Sequence, residues 1–183
     1  MARQVLFVHG GGDGAYEADS KLVTSLRSKL GADHVVRYPM MPNEADPDYE
    51  TWKNVITGEL ANMGSGSILV GHSIGASVAI RVVVDGGIEQ PLAGVFLLAA
   101  PFWHDHDFWH WKEVELPTNA AERIPNGTPV FLYHGRQDGS VPFSHVEMYA
   151  RALPQATVRH LDGRNHQLND DLTEVAQDIR LLS

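Results

Sequence analysis

Ile68-Leu69-Val70-Gly71-His72-Ser73-Ile74-Gly75-Ala76-Ser77-Val78-Ala79 runs a short apolar segment into Gly-x-Ser-x-Gly and out again into an apolar stretch. The first part reads as a buried strand and the last as a helix, so the serine between them falls on a sharp strand-to-helix turn. Such a turn projects the Ser73 hydroxyl clear of the backbone, and glycines at 71 and 75 leave room for strand and helix to pass closely. The N–H groups that open the helix then face any negative charge developing beside Ser73. A plain glycine–serine loop is the alternative for the five-residue motif by itself. Its position between strand and helix makes Ser73 a candidate nucleophile.

The same kind of apolar run recurs on either side: Val5 to Val8, Val35-Val36, Val95 to Leu98, Val130 to Tyr133 and Thr157-Val158. Runs that are continuous instead of alternating suit strands covered on both faces of a parallel sheet. Between them, segments near 15–30, 48–62, 75–86, 141–152 and 170–181 carry apolar residues at helical spacing, most clearly Leu22, Val23, Leu26 and Leu30. The regular alternation predicts an α/β three-layer sandwich. It has about six mostly parallel strands, right-handed crossovers and helices on both faces.

At 183 residues, 43% of them hydrophobic, the chain suits one well-buried core, and 1–183 is read as a single domain. Residues 101–128 interrupt the rhythm as an aromatic insertion. With 14 Lys and Arg against 23 Asp and Glu, a net charge of −9 argues against nucleic acid as a partner. There is no cysteine, which excludes thiolate nucleophiles, thiolate metal sites and disulfides. No apolar stretch is long enough for a membrane span, and no signal-like segment opens the chain, so a cytoplasmic protein is expected. The pattern carries no signal for an oligomeric state.

The first strand ends in Val8-His9-Gly10-Gly11-Gly12-Asp13-Gly14. A glycine-rich loop here also opens dinucleotide folds, but Ala15 stands where the third glycine of Gly-x-Gly-x-x-Gly would fall, and no Gly-Lys-Ser/Thr follows. Successive glycines instead let backbone N–H groups approach a substrate carbonyl. Further on, His134-Gly135-Arg136-Gln137-Asp138-Gly139-Ser140-Val141-Pro142 reads as a strand end, a loop and a helix start. Asp138 there also fits an ordinary turn or cap aspartate. Leu161-Asp162-Gly163-Arg164-Asn165-His166-Gln167-Leu168 follows the last strand.

Taken together these segments resemble the α/β-hydrolase superfamily, in its short forms that begin at the strand bearing the glycine loop. The likeness extends over essentially the whole chain. It implies a minimal α/β-hydrolase fold with a short cap at about 101–128. It also implies a catalytic set of Ser73 as nucleophile, His166 as general base and Asp138 as the acid that orients it. His160 is the rival base and Asp162 the rival acid. The N–H of Gly11 or Gly12, joined by that of Ile74, would form the oxyanion hole, and His9 would brace that loop.

The implied activity is that of a serine hydrolase needing no cofactor, acting on a small-molecule ester, thioester or other acyl substrate. Peptidase and lactonase chemistry, or a non-catalytic interaction module on the same fold, are the alternatives. The substrate pocket would draw on His9, His72, Phe102, Trp103, Phe108, Trp109 and Trp111, although the aromatics could equally just cover the sheet end. His104-Asp105-His106 with His110 offers metal-ligating side chains, but adjacent residues of an irregular segment rarely converge, and no metal site is expected.

Overall fold

The computed structural model describes residues 2–104 and 108–182. Six strands form one sheet: β1 (Arg3–Val8), β2 (His34–Arg37), β3 (Ser67–His72), β4 (Leu92–Leu98), β5 (Val130–Gly135) and β6 (Thr157–Leu161). Their order across the sheet is β2-β1-β3-β4-β5-β6, and every pairing is parallel.

Alternate residues of the four inner strands enter opposite cores. Val5, Phe7, Ile68, Val70, Phe96, Leu98 and Tyr133 pack with Leu22, Val23 and Leu26 of α1 (Ala15–Leu30) and with Val175 and Ile179 of α6 (Thr173–Arg180). Leu6, Val8, Leu69, Val95, Leu97 and Leu132 pack on the other face. Their partners there include Trp52 and Ile56 of α2 (Tyr49–Ala61), Val78 and Val82 of α3 (Ile74–Val84), and Val146 and Tyr149 of α5 (Ser144–Ala152). Because both faces are covered, strand residues on both sides must be apolar, which explains the unbroken runs in the sequence.

Two helix starts follow local chemistry. Asp48 caps α2 by accepting the Thr51 N–H at 2.8 Å. α5 begins at Ser144, two residues after Pro142, because the Asp138 carboxylate takes the N–H groups of Ser140 and Val141 and holds that stretch in a turn. The insertion carries a short helix, α4 (Ala120–Arg123), and sends Val114, Ala120 and Ile124 into the core beside α3. Arg81 of α3 donates to the Glu115 carbonyl, and Tyr149 donates to that of Pro101 at 3.0 Å, so the segment is pinned at its start and at its middle. No helix among the described residues is long and apolar enough to cross a membrane.

From β1 the chain crosses first to one side, to β2, and then back past β1 to β3. The connections leaving the carboxyl ends of β1 and β3 therefore diverge to opposite sides and open a crevice between them. The glycine loop leaves β1 on one wall of that crevice, and Ser73 leaves β3 on the other.

Candidate active site

Ser73 follows the last residue of β3 and precedes the first of α3, with φ 51° and ψ −127°. This conformation is unfavourable for a side-chain-bearing residue and costs about 1–3 kcal/mol. The turn is held by the Ser73 N–H, which donates to Leu98 O at the end of β4 at 2.8 Å, and by packing that excludes side chains on both flanks. A Cβ on Gly75 would lie 2.7 Å from Val8 O and closer still to His9 O; one on Gly71 would lie 2.6 Å from the Ala76 Cα. Close approach of α3 to the end of β1 therefore requires glycine at 75, and close approach of α3 to the end of β3 requires it at 71.

Two loops from the far half of the chain meet Ser73. The loop after β6 brings His166 Nε2 to 3.1 Å from Ser73 Oγ. The loop after β5 brings Asp138 Oδ2 to 2.8 Å from His166 Nδ1. Asp138 Oδ1 accepts the N–H groups of Ser140 and Val141, each at 2.8 Å, while His134 Nε2 lies 3.3 Å from Oδ2. Burial alone would raise the Asp138 carboxyl, but hydrogen bonds from His134, His166 and Val141 outweigh it and hold the group well below the usual carboxylate range. Asp138 is thus an anion with one oxygen, Oδ1, fixed by a turn and the other, Oδ2, facing the imidazole. Of the rivals, His160 pairs with Glu147 at 3.0 Å and Asp162 with Arg136 at 2.8 Å, both away from Ser73.

Opposite this chain lies the glycine loop. Among the described residues nothing accepts the N–H of Gly11 or of Ile74, the first residue of α3, so both remain available to a ligand. The N–H of Gly12 is not available: it donates to Glu44 O at 2.6 Å. Of the two glycines read as oxyanion donors, Gly11 fits and Gly12 is used structurally. The Glu44 carboxylate also takes the N–H groups of Gly14 and Tyr16, at 3.0 and 2.7 Å. An anion at the N-terminus of α1 is therefore already supplied by the protein, which disposes of the phosphate-binding alternative for this loop. Glu44→Ala is expected to uncap α1 and cost about 1 kcal/mol, a fall of roughly 2–4 °C in Tm measurable by thermal circular dichroism.

The family model for the alpha/beta hydrolase family matches residues 5–179. The chain belongs to the α/β-hydrolase family. Among solved structures, it resembles the Bacillus subtilis ydeN gene product at 20% identity and TM-score 0.81, covering 98% of this chain and 97% of that one. SOBER1 of Arabidopsis thaliana matches at 17% identity and TM-score 0.71, over 98% of each chain. The 2-hydroxy-6-oxo-6-phenylhexa-2,4-dienoate hydrolase of Rhodococcus sp. strain RHA1 matches at 16% identity and TM-score 0.73, over 98% of this chain and 89% of that one. These likenesses establish a shared fold. A comparison with curated protein sequences gave no significant match.

Two of the residues read as pocket walls in this α/β hydrolase lie instead beneath the crevice. His9 is fully buried: its Nε2 accepts the Met41 N–H at 2.8 Å, which puts the ring proton on Nδ1, facing Gly10 O at 2.6 Å. His72, 1% exposed, has its Nδ1 2.9 Å from Asp19 Oδ2 and its Nε2 3.0 Å from His166 O. Neither ring has a free edge for substrate. The aromatics of the insertion form a cluster of their own. Trp103 meets Trp109 and Trp111 edge to face with centroids 5.8 and 5.5 Å apart, and Phe102 meets Tyr149 at 4.9 Å. Phe108 is 76% exposed and packs against Trp109. Asp105 and His106, weighed as metal ligands with His104, lie outside the described residues. Among those described, no three His, Asp or Glu side chains gather to hold a metal.

His145, on α5, supports this cluster and was not singled out in the sequence. It is buried, accepts the Phe102 N–H at 2.8 Å and meets the Trp109 ring at 4.7 Å. Burial, reinforced by the charges of His134 and His104, pushes its pKa down to about 4 from 6.5. The folded ring then resists a proton that the unfolded chain accepts. Stability is full above 6.5 and falls as pH drops towards 4, by up to ~3 kcal/mol at the lower end. Substituting His145→Gln is expected to flatten that part of the pH–Tm curve relative to wild type.

Proposed function

We propose that this protein is a serine hydrolase that cleaves a carboxylic ester or thioester carrying a small to medium acyl group, through a Ser73–His166–Asp138 triad. The observation that carries the reading is the unbroken hydrogen-bonded chain from an anionic Asp138 through His166 to Ser73 Oγ, at a strained turn opposite two unused backbone donors. Structural roles alone do not call for all of these at one point.

The chemistry follows from the geometry. His166 Nε2 takes the hydroxyl proton as Ser73 Oγ attacks the substrate carbonyl carbon, and Asp138 stabilises the imidazolium by accepting from Nδ1. The carbonyl oxygen becomes an oxyanion between the N–H groups of Gly11 and Ile74, donors worth about 3 kcal/mol each when held in place. His166 returns the proton to the departing alcohol or thiol, and an acyl-Ser73 ester remains. Water, deprotonated by His166, then attacks this ester; the bond to Ser73 Oγ breaks, the acyl group leaves as the carboxylic acid, and His166 returns the proton to the serine. Ile74 and Pro47 pack against Gly11 and give this wall of the crevice an apolar lining. The aromatic insertion offers flat apolar faces to an acyl or aryl group.

The test is a panel of nitrophenyl esters from acetate to laurate, with matching thioesters, a lactone series and a peptide amide. The expected result is ester and thioester turnover that declines at long acyl chains, with an initial nitrophenol burst stoichiometric with enzyme. Turnover confined to lactones or amides would redirect the substrate class. Absence of turnover on every member by folded protein would overturn the reading in favour of a binding module.

A further inference from the structure

Asp19 is a charged residue on the apolar stripe of α1, three and four positions before Leu22 and Val23, and it is 1% exposed. One carboxylate oxygen, Oδ2, accepts from two directions: the Gly10 N–H at 2.8 Å and His72 Nδ1 at 2.9 Å. The Gln167 side chain lies close by and also favours the ionised carboxylate. The other nitrogen of His72 faces His166 O at 3.0 Å. A neutral imidazole has one N–H, yet both nitrogens of His72 point at acceptors. Two placements of the protons satisfy it, a doubly protonated ring beside an ionised Asp19 or a neutral ring accepting from a protonated Asp19, and the ordinary pKa values of the two groups, about 6.5 and 3.9, favour the first. Burial opposes charge on either group, but each outweighs that penalty for the other: His72 is raised above its ordinary value and Asp19 lowered.

The pair joins three separate segments. Gly10 belongs to the glycine loop, His72 immediately precedes Ser73, and His166 is the base. We infer that Asp19 is a positioning residue for the hydrolytic site, holding an imidazolium at His72 that ties the His166 main chain and the glycine loop to the Ser73 turn. The inference rests on the serine-hydrolase reading above. Asp19 touches no substrate; it acts through His72 and Gly10. The other ionisable groups facing His72 are His166, with ring centroids 4.9 Å apart, Asp138 from the loop after β5, and His9 from the glycine loop.

Asparagine at 19 cannot replace the carboxylate. If its oxygen takes the place of Oδ2, His72 must either stay charged without a counter-ion or turn a bare nitrogen towards His166 O. If its NH2 takes that place, two donors meet at Gly10. One of the three ties therefore fails.

The experiment compares wild type, Asp19→Asn and Asp178→Asn on a nitrophenyl ester and by the rate of fluorophosphonate labelling. Asp178 is a similarly buried carboxylate, bonded to Tyr133 and Arg159 away from Ser73, and controls for loss of stability alone. The expected result for Asp19→Asn is a fall of about 10- to 100-fold in kcat and in labelling rate, with KM changed by less than about threefold. Asp178→Asn should lower Tm and leave kcat within about twofold of wild type. In 15N-labelled wild type, the His72 ring, assigned by its loss in His72→Gln, should keep protons on both nitrogens at pH values above the ordinary histidine value of about 6.5. A kcat for Asp19→Asn within about twofold of wild type, or a singly protonated His72 ring in wild type, overturns the inference and leaves the hydrolase reading intact. Wild type that neither turns over nor labels overturns that reading, and this inference with it. If Asp19→Asn does not fold, His72→Gln is judged by the same kinetic criteria. If neither folds, the wild-type ring spectrum decides.

Discussion

Alanine in place of Ser73 is expected to lower kcat on a nitrophenyl ester by about 10,000-fold or more and to leave the fold untouched. The activity loss follows from removing the oxygen that His166 Nε2 meets at 3.1 Å, the proposed nucleophile. The unchanged stability follows from a different observation. Although Ser73 stands at the N-cap of α3, its side chain makes no capping hydrogen bond, so its removal uncaps nothing. The backbone bond to Leu98 O is kept by any residue except proline. Tm should therefore move by less than about 2 °C. Glycine at 73 should be equally inactive but more stable, by about 1 kcal/mol, because it relieves the positive φ. Thermal circular dichroism of Ser73→Ala and Ser73→Gly beside their ester kinetics separates the two effects. An alanine variant retaining a tenth or more of wild-type kcat would show that another group attacks the ester.

The second large effect is structural. Gly75→Ala places a methyl group against the carbonyl groups of Val8 and His9, and because both are backbone, no side-chain movement makes room. α3 must lift from the end of β1, carrying the Ser73 turn away from the glycine loop. Overpacking of this kind costs ~3 kcal/mol or more, which for a chain of this size corresponds to roughly 6–12 °C in Tm. Labelling of Ser73 in the remaining folded protein should slow as well, since Gly11 and Ile74 no longer face the same point. Gly87→Ala is the matched control: a Cβ there meets nothing closer than 3.5 Å. Equal melting temperatures for the two variants would mean that the contact between α3 and β1 is looser than described.

Most of the fold was legible because its four inner strands are buried on both faces. Val5 to Val8 send alternate side chains into two cores, so the segment is apolar throughout and stands out against its neighbours. The three loops at the carboxyl ends of β3, β5 and β6 stood out for another reason: their residues resemble the α/β-hydrolase segments that bear a nucleophile, an acid and a base, and the proposed roles of Ser73, Asp138 and His166 began from that likeness. The supports beneath them were harder to see. Asp19 did leave a trace, as a carboxylate on the stripe of Leu22, Val23, Leu26 and Leu30, where an unpaired charge is costly and a partner is implied. Glu44 left none, because the 38–48 segment has neither periodicity nor motif and its carboxylate acts on residues about thirty positions away. His9 and His72 flank the site in sequence, which made them look like pocket residues. Sequence proximity does not distinguish a ring facing the crevice from one facing the core. Gly12 was misplaced by the same limitation, since which N–H of a glycine loop is free depends on what packs across from it.

The most direct test of the proposed chemistry is covalent. Wild type and Ser73→Ala are treated with a broad fluorophosphonate, and the products are read by intact and peptide mass spectrometry. The expected product is a single adduct on Ser73, absent from the alanine variant and suppressed when His166 is replaced by alanine. Folded wild type that remains unmodified beside a reactive control hydrolase, or an adduct on another residue that persists in Ser73→Ala, would contradict that chemistry.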